Sequence, residues 1–206
     1  MIEALERAAG RPVSRETFRL LERYVDRLKA ASSTQNLISA STLDGIWERH
    51  ILDSAQLVRF EPHADASWVD IGSGAGLPGI VIATLIKGPM TLVEPRRLRA
   101  AFLEEVVDAL RLARRVSVVS AKIEQVHEKF DVITARAVAP LGRLLGLAHH
   151  LSQEETIWVL PKGKNAKSEL AEAQLSWQCE VRSEASCTDR QAIVLVLSKV
   201  GAKSNR

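Results

Sequence analysis

The stretch Val69-Asp70-Ile71-Gly72-Ser73-Gly74-Ala75-Gly76-Leu77-Pro78-Gly79 follows an apolar run, alternates three glycines, and carries an acid beside the turn. A strand-to-helix turn of this kind, at the first crossover of an open α/β sheet, is where such sheets bind ligands. Two cofactor classes compete for it. Gly74-x-Gly76-x-x-Gly79 fits the dinucleotide fingerprint, with Glu94 near the ~20-residue offset of a ribose carboxylate. A dinucleotide, however, sets an anionic pyrophosphate against bare N–H groups at a helix start. Asp70 opposes that anion and would attract the ammonium of S-adenosylmethionine, whose sulfonium is also positive. Pro78 has no N–H, which is a loss for phosphate cradling and none for a helix start. The next strand ends in Thr91-Leu92-Val93-Glu94-Pro95, so Glu94 can accept from both ribose hydroxyls of either cofactor. The residues favour S-adenosylmethionine over a nicotinamide or flavin dinucleotide, with Asp70, Gly72, Gly74, Gly76 and Glu94 around it.

Methyl transfer from a sulfonium is an in-line displacement, so the protein mainly aligns the reacting atoms and excludes water. What else it supplies depends on the acceptor. The Asn/Asp-Pro-Pro-Tyr/Phe turn that handles an exocyclic adenine amine is absent; the corresponding stretch is Thr134-Ala135-Arg136-Ala137-Val138-Ala139-Pro140. Carbon-5 of a pyrimidine calls for a cysteine nucleophile, and Cys179 and Cys187 fall late in the chain after Gln178 and Ser186. Ring nitrogen N7 of guanine carries a free lone pair and no proton, so it attacks without a general base. Arg136, after the strand Asp131 to Thr134, projects at the carboxyl end of the sheet beside the glycine loop. There it can pair with the methionine carboxylate, donate to guanine O6, or hold an RNA phosphate.

The elements that must position these groups read as a cap and a core. Pro12 and Ser14 signal a helix start, and Phe18, Leu21, Val25 and Leu28 share one face of a 3.6-residue repeat. A polar break at residues 32–36 separates this from a second helix over residues 43–58, and Pro62 closes the cap. From residue 67, β-rich runs alternate with helices: 68–71, 90–93, 116–119, 131–134, 156–160 and 192–197. Helices are expected over 77–86, 97–110, 141–150 and 167–175. The expected architecture is α/β, a mostly parallel, Rossmann-like sheet of seven strands carrying the N-terminal helical cap. Residues 1–62 form the cap, 63–200 the core and 201–206 a polar tail, as one domain overall.

The 206 residues are 46% hydrophobic and 26% charged, the composition of a soluble globular chain. No apolar run approaches the ~20 residues that span a bilayer, so no membrane role is expected. The opening Met1-Ile2-Glu3-Ala4-Leu5-Glu6-Arg7 has no apolar signal core, which suggests a cytoplasmic address. Two cysteines eight apart, without a Cys-x-x-Cys or clustered histidines, point to reduced thiols, and no metal is expected. Net charge is +3, but arginine is bunched at Arg96, Arg97, Arg99 and at Arg111, Arg114, Arg115. Cations at the start of a helix oppose its dipole and hint at an external anion. Pro161-Lys162-Gly163-Lys164-Asn165-Ala166-Lys167 is the best candidate RNA-gripping loop, through Lys162 and Lys164.

Four strings together carry a resemblance: Gln35-Asn36-Leu37-Ile38, Glu48-Arg49-His50-Ile51-Leu52-Asp53-Ser54, the glycine loop with its Leu77-Pro78-Gly79 extension, and Ala135-Arg136-Ala137. The chain, from about residue 14 to 198, resembles the ribosomal RNA small subunit methyltransferase G family, also called glucose-inhibited division protein B. The resemblance implies a class I S-adenosylmethionine-dependent methyltransferase acting on N7 of one guanine in bacterial 16S ribosomal RNA, guanine 527 by family convention. It implies that Gly72 and Leu77 contact the cofactor, that Ile123 and Glu124 flank its adenine, and that Arg136 lies at the cofactor and the target base. Arg49 and His50 then belong at the mouth of the site, with Asp53 four residues from Arg49 able to orient its guanidinium. Arg96 joins Lys162 and Lys164 as an RNA contact. No stable protein partner is implied. Ser73 and Ala75 replace the family's commoner threonine and proline, and Glu94 its frequent aspartate. Another RNA nucleotide, a small-molecule acceptor, or a non-catalytic RNA-binding role on the same fold are the alternatives.

Overall fold

The computed structural model describes residues 1–203, leaving aside the side chains of residues 34, 40 and 41. Seven strands, β1 (Trp68–Ile71), β2 (Met90–Val93), β3 (Val116–Val119), β4 (Val132–Ala135), β5 (Ile157–Lys162), β6 (Trp177–Ala185) and β7 (Ile193–Ala202), form one sheet in the order β3-β2-β1-β4-β5-β7-β6. The first five strands run parallel, and β7 is antiparallel to both β5 and β6. The sheet reverses its strand order at β1 and β4, and the carboxyl ends of these two strands carry the glycine loop and Arg136.

Alternation along β1 divides the core. Trp68 packs on one face with Met90, Leu92 and Val132, while Val69 and Ile71 pack on the other with Val93, Ile133 and Trp158. The first face is covered by α1 (Ile2–Ala9), α2 (Arg15–Gln35), α4 (Asp53–Ala55), α5 (Gly79–Leu85) and α6 (Arg97–Ala109), with the short α3 (Ala40–Leu43) lying in the chain between α2 and α4. The second is covered by α7 (Leu141–Ala148) and α8 (Ala166–Ser176). The cap and the core therefore share one apolar interior.

Several expectations change. The N-terminal helix α1 precedes the Pro12 and Ser14 start signal, and its Leu5 is fully buried. Ser14 does cap α2, accepting from the Thr17 N–H at 3.0 Å. The polar stretch after residue 31 does not break α2, because Ser32 Oγ donates to Leu28 O and Ser33 Oγ to Ala30 O within the helix. Termination comes at Asn36, in the left-handed region at φ 47. The single helix expected over 43–58 is instead α3, a π-helical turn over Trp47–Leu52, α4 and a 3₁₀ turn over Gln56–Phe60. Strand β6 went unplaced in the sequence, since Glu180, Arg182 and Glu184 give it the charged face of an exposed sheet edge. Gly201 and Ala202 pair with Gln178 and Trp177 and are not tail; residues 204–206 lie outside the described residues.

Candidate active site

Three glycines make the turn after β1 with positive φ: Gly72 at 66°, Gly74 at 55° and Gly76 at 92°. The N–H groups of Gly72 and Ser73 both donate to Val93 O, at 2.8 and 3.0 Å, which ties the loop to the end of β2. Glu94 is buried there. Its Oε2 accepts from Gly74 N at 2.9 Å and its Oε1 from Arg96 N at 2.9 Å. A carboxylate has about four acceptor positions, so both oxygens keep capacity for a diol while the backbone holds them still.

Asp70 sits on the Trp68 face of β1, fully buried, with Oδ2 accepting from Gly79 N at 3.0 Å. Its Oδ1 is buried without a hydrogen-bond partner. Burial is the main reason its carboxyl is pushed up to about 7, opposed by the Ser73 side chain, by the Gly79 N–H and by the charge of Arg136. A cationic partner would draw the proton off. Cofactor affinity is therefore expected to rise with pH between about 6 and 8 with release of up to one proton, and Asp70→Asn to flatten the dependence; calorimetry in buffers of different ionisation enthalpy reads both. In the free protein the raised carboxyl favours folding at low pH, a contribution lost as pH rises through about 7.

Tyr24, on the buried face of α2, escaped the sequence reading. Its hydroxyl donates to Ala75 O at 2.8 Å, so the cap holds the glycine loop directly. Burial raises its phenol pKa well above the ordinary range. Tyr24→Phe is expected to cost about 1 kcal/mol in denaturant unfolding, because it strands a buried carbonyl. The signal for this role was one tyrosine in register with Leu21, Val25 and Leu28, which reads equally well as core.

Arg136 follows β4, whose Ala135 is paired with Ile71 at the start of the glycine loop. Its Nη1 lies 3.2 Å from His50 Nδ1 and 3.7 Å from Asp53 Oδ2. The guanidinium can only donate, so Nδ1 of His50 accepts and the ring is neutral. Burial first, and Arg136 second, lower the His50 pKa to about 4. Asp53 is pushed up by burial and pulled back by Arg136. A cavity of about 740 Å³ opens beside this cluster, walled by Arg49, His50 and Asp53 of the cap, by Arg136, by the end of β5, and by the turn between β6 and β7.

Two expected roles are corrected. Asp53 does not orient Arg49: its carboxylate faces Arg136, Gln56 and Thr188, because the π-helical turn over Trp47–Leu52 departs from the spacing that stacks residues four apart. Lys162 is not a free loop lysine. It ends β5, and its Nζ donates to Glu169 Oε2 at 2.9 Å. Lys164, past Gly163, is exposed, as is Arg96 at the start of α6. Ile123 is buried and Glu124 exposed in a 3₁₀ turn beyond β3, where Ile123 joins Ile71 and Val93 on the second face of the sheet. Arg115 is spoken for by the carbonyls of Ala83 and Gly88. Both cysteines are free. Among the described residues no helix is long and apolar enough to cross a membrane, and no group of three or more His, Cys, Asp or Glu gathers as for a metal.

The strand order with its antiparallel β7, and a glycine loop facing an acid on the second strand, define a class I S-adenosylmethionine-dependent methyltransferase fold. Solved structures agree. The ribosomal protein L11 methylase of Lactobacillus delbrueckii superposes with TM-score 0.60 at 17% identity, covering 73% of this chain and 78% of that one. A putative S-adenosylmethionine-dependent methyltransferase of Methanococcus maripaludis does so at 0.59 and 13% identity, covering 88% and 94%. A family model described as rRNA small subunit methyltransferase G matches residues 17–193, and the chain belongs to that family. Proteins named ribosomal RNA small subunit methyltransferase G from Zymomonas mobilis and Rhizorhabdus wittichii are 43% and 46% identical to it. The alignments cover 94% and 91% of this chain and 91% and 88% of theirs. The chain is accordingly an S-adenosylmethionine-dependent rRNA methyltransferase.

Proposed function

We propose that this chain transfers the methyl group of S-adenosylmethionine to N7 of a single guanine, guanine 527 by family convention, in 16S ribosomal RNA, in the cytoplasm. The observation that carries the reading is Arg136, which lines the cavity from a strand end paired with the one that opens the glycine loop, and has a neutral histidine against it. The loop residues fit the cofactor: the partnerless Asp70 Oδ1 suits an ammonium, and Glu94 suits a ribose diol. Asp70, Gly72, Gly74, Gly76, Leu77 and Glu94 would hold it, with Ile123 and Glu124 at its adenine. When bound, the sulfonium supplies an electrophilic methyl.

This chain's own work is then placement. N7 needs no deprotonation, which agrees with a cavity whose histidine is neutral and already accepting a bond, and whose Asp53 is occupied by Arg136, Gln56 and Thr188. Arg136 would donate to the Hoogsteen edge of guanine and hold the ring in line. The proposed RNA contacts are Arg49, His50, Arg96 and Lys164. Lys162, tied to Glu169, shapes the end of β5 instead.

Nucleoside mass analysis of 16S RNA from cells with and without the chain tests the reading, followed by transfer of labelled methyl in vitro. Loss of one 7-methylguanosine supports it, and an unchanged nucleoside profile rejects it. Salt sorts the lysines. Lys164→Ala is expected to reduce the slope of log affinity against log salt by about 0.7–0.9, while Lys162→Ala leaves the slope and lowers stability.

A further inference from the structure

The turn between β6 and β7, residues 186–192, forms the outer wall of the cavity, yet Cys187, Asp189, Arg190 and Gln191 are all exposed and supply it with little apolar anchorage. What holds it is polar. Gln56, only 3% exposed, accepts the Cys187 N–H on Oε1 at 2.9 Å. Its Nε2 donates to Asp53 Oδ1 at 2.9 Å and to Ser186 Oγ at 3.2 Å. Thr188 Oγ1 donates to the same Asp53 Oδ1 at 3.0 Å. Asp53 turns its other oxygen, Oδ2, to Arg136 at 3.7 Å. One carboxylate thus joins the wall of the cavity, whose Thr188 is 135 residues from it in the chain, to the cation at the cavity's base.

We propose that Gln56 and Thr188 are positioning residues of the acceptor pocket: they clamp the β6–β7 turn to the cap and, through Asp53, set Arg136 at a fixed distance across the cavity from that turn. The inference rests on reading this cavity as the place where RNA presents its guanine. A surface turn without apolar packing samples many conformations, and binding must then order it. The clamp performs that ordering before RNA arrives. Its two donors also favour the ionised form of Asp53, which burial alone would oppose.

Thr188→Val keeps the volume and removes the donor, and Thr188→Ser restores it. The valine variant is expected to raise KM for 16S RNA about tenfold, with kcat changed by less than about threefold and cofactor affinity unchanged. The serine variant should recover most of the loss, and Gln56→Ala should resemble valine. Site-resolved alkylation of Cys187 gives a readout that does not use transfer: it should quicken several-fold in Thr188→Val and Gln56→Ala. Wild-type KM in both variants, or cofactor affinity falling in step with KM, overturns the proposal. So does alkylation at the wild-type rate in both. If the wild-type chain transfers no methyl to 16S RNA, the proposed function falls, and the alkylation arm still decides whether the clamp exists.

Discussion

Replacing Arg136 by alanine is expected to reduce single-turnover methyl transfer by about 100-fold or more, with a much smaller effect on cofactor affinity. Removing one preorganised donor from a closed site commonly costs about 100- to 1,000-fold, and this donor serves two further groups. Without it Asp53 keeps its burial and loses the charge that offsets it, and His50 Nδ1 loses its donor. Arg136→Lys restores a charge without the planar fork that reaches a base edge and a carboxylate together. It should recover no more than about tenfold of the lost rate. Equal losses in both variants would fit a role for the fork alone; wild-type transfer in the alanine variant would remove Arg136 from the reaction.

Gly76→Ala should disturb the glycine loop from the opposite side, through the backbone. Gly76 stands at φ 92, a region that costs an L side chain about 1–2 kcal/mol. A Cβ there would meet Ile80 Cγ1 at 2.6 Å, Leu103 Cδ2 at 3.1 Å and the Tyr24 hydroxyl at 3.2 Å. Overpacking of this kind adds about 1–3 kcal/mol. At roughly 2–4 °C per kcal/mol for a chain of this size, the melting temperature should drop by about 4–20 °C. Because the displaced groups include the tyrosine that holds Ala75, cofactor affinity should fall as well. A scan and a cofactor titration check both, and an unchanged melting temperature would show that the loop relaxes around the methyl.

His50 offers a third measurable consequence. With its pKa lowered to about 4, the folded chain binds fewer protons there than the unfolded chain between pH 4 and the ordinary 6.5. Stability from this group is present above about 6.5 and lost as pH falls toward 4. Urea midpoints of wild type and His50→Gln should converge across that window, whereas a constant gap would deny the shift.

How much was legible in the residues differs by element. The bounds of β1, β2 and β3 match the β-rich runs read at 68–71, 90–93 and 116–119; β1 and β2 are buried throughout, and a buried parallel strand is a short run of such residues and little else, while β3, at the sheet edge, was marked by its valines. The glycine loop was equally plain, since positive φ at three alternating positions restricts residue type locally. Strand β6 was not, for its pattern is that of an edge facing water.

The site divides along the same physical line. Chain-local chemistry determined the loop, the acids at the ends of β1 and β2, the Ser14 cap and the arginine after β4, because each is a demand of neighbouring backbone on one residue. Only the tertiary structure decided that Asp53 serves Arg136 and not Arg49, that Lys162 is held by Glu169, that Tyr24 holds the glycine loop, and that Gln56 and Thr188 line the cavity. Those pairings join residues up to 135 apart along the chain, and which partner a polar side chain finds depends on what the packed sheet and cap bring within about 4 Å of it, a distance no spacing in the sequence encodes.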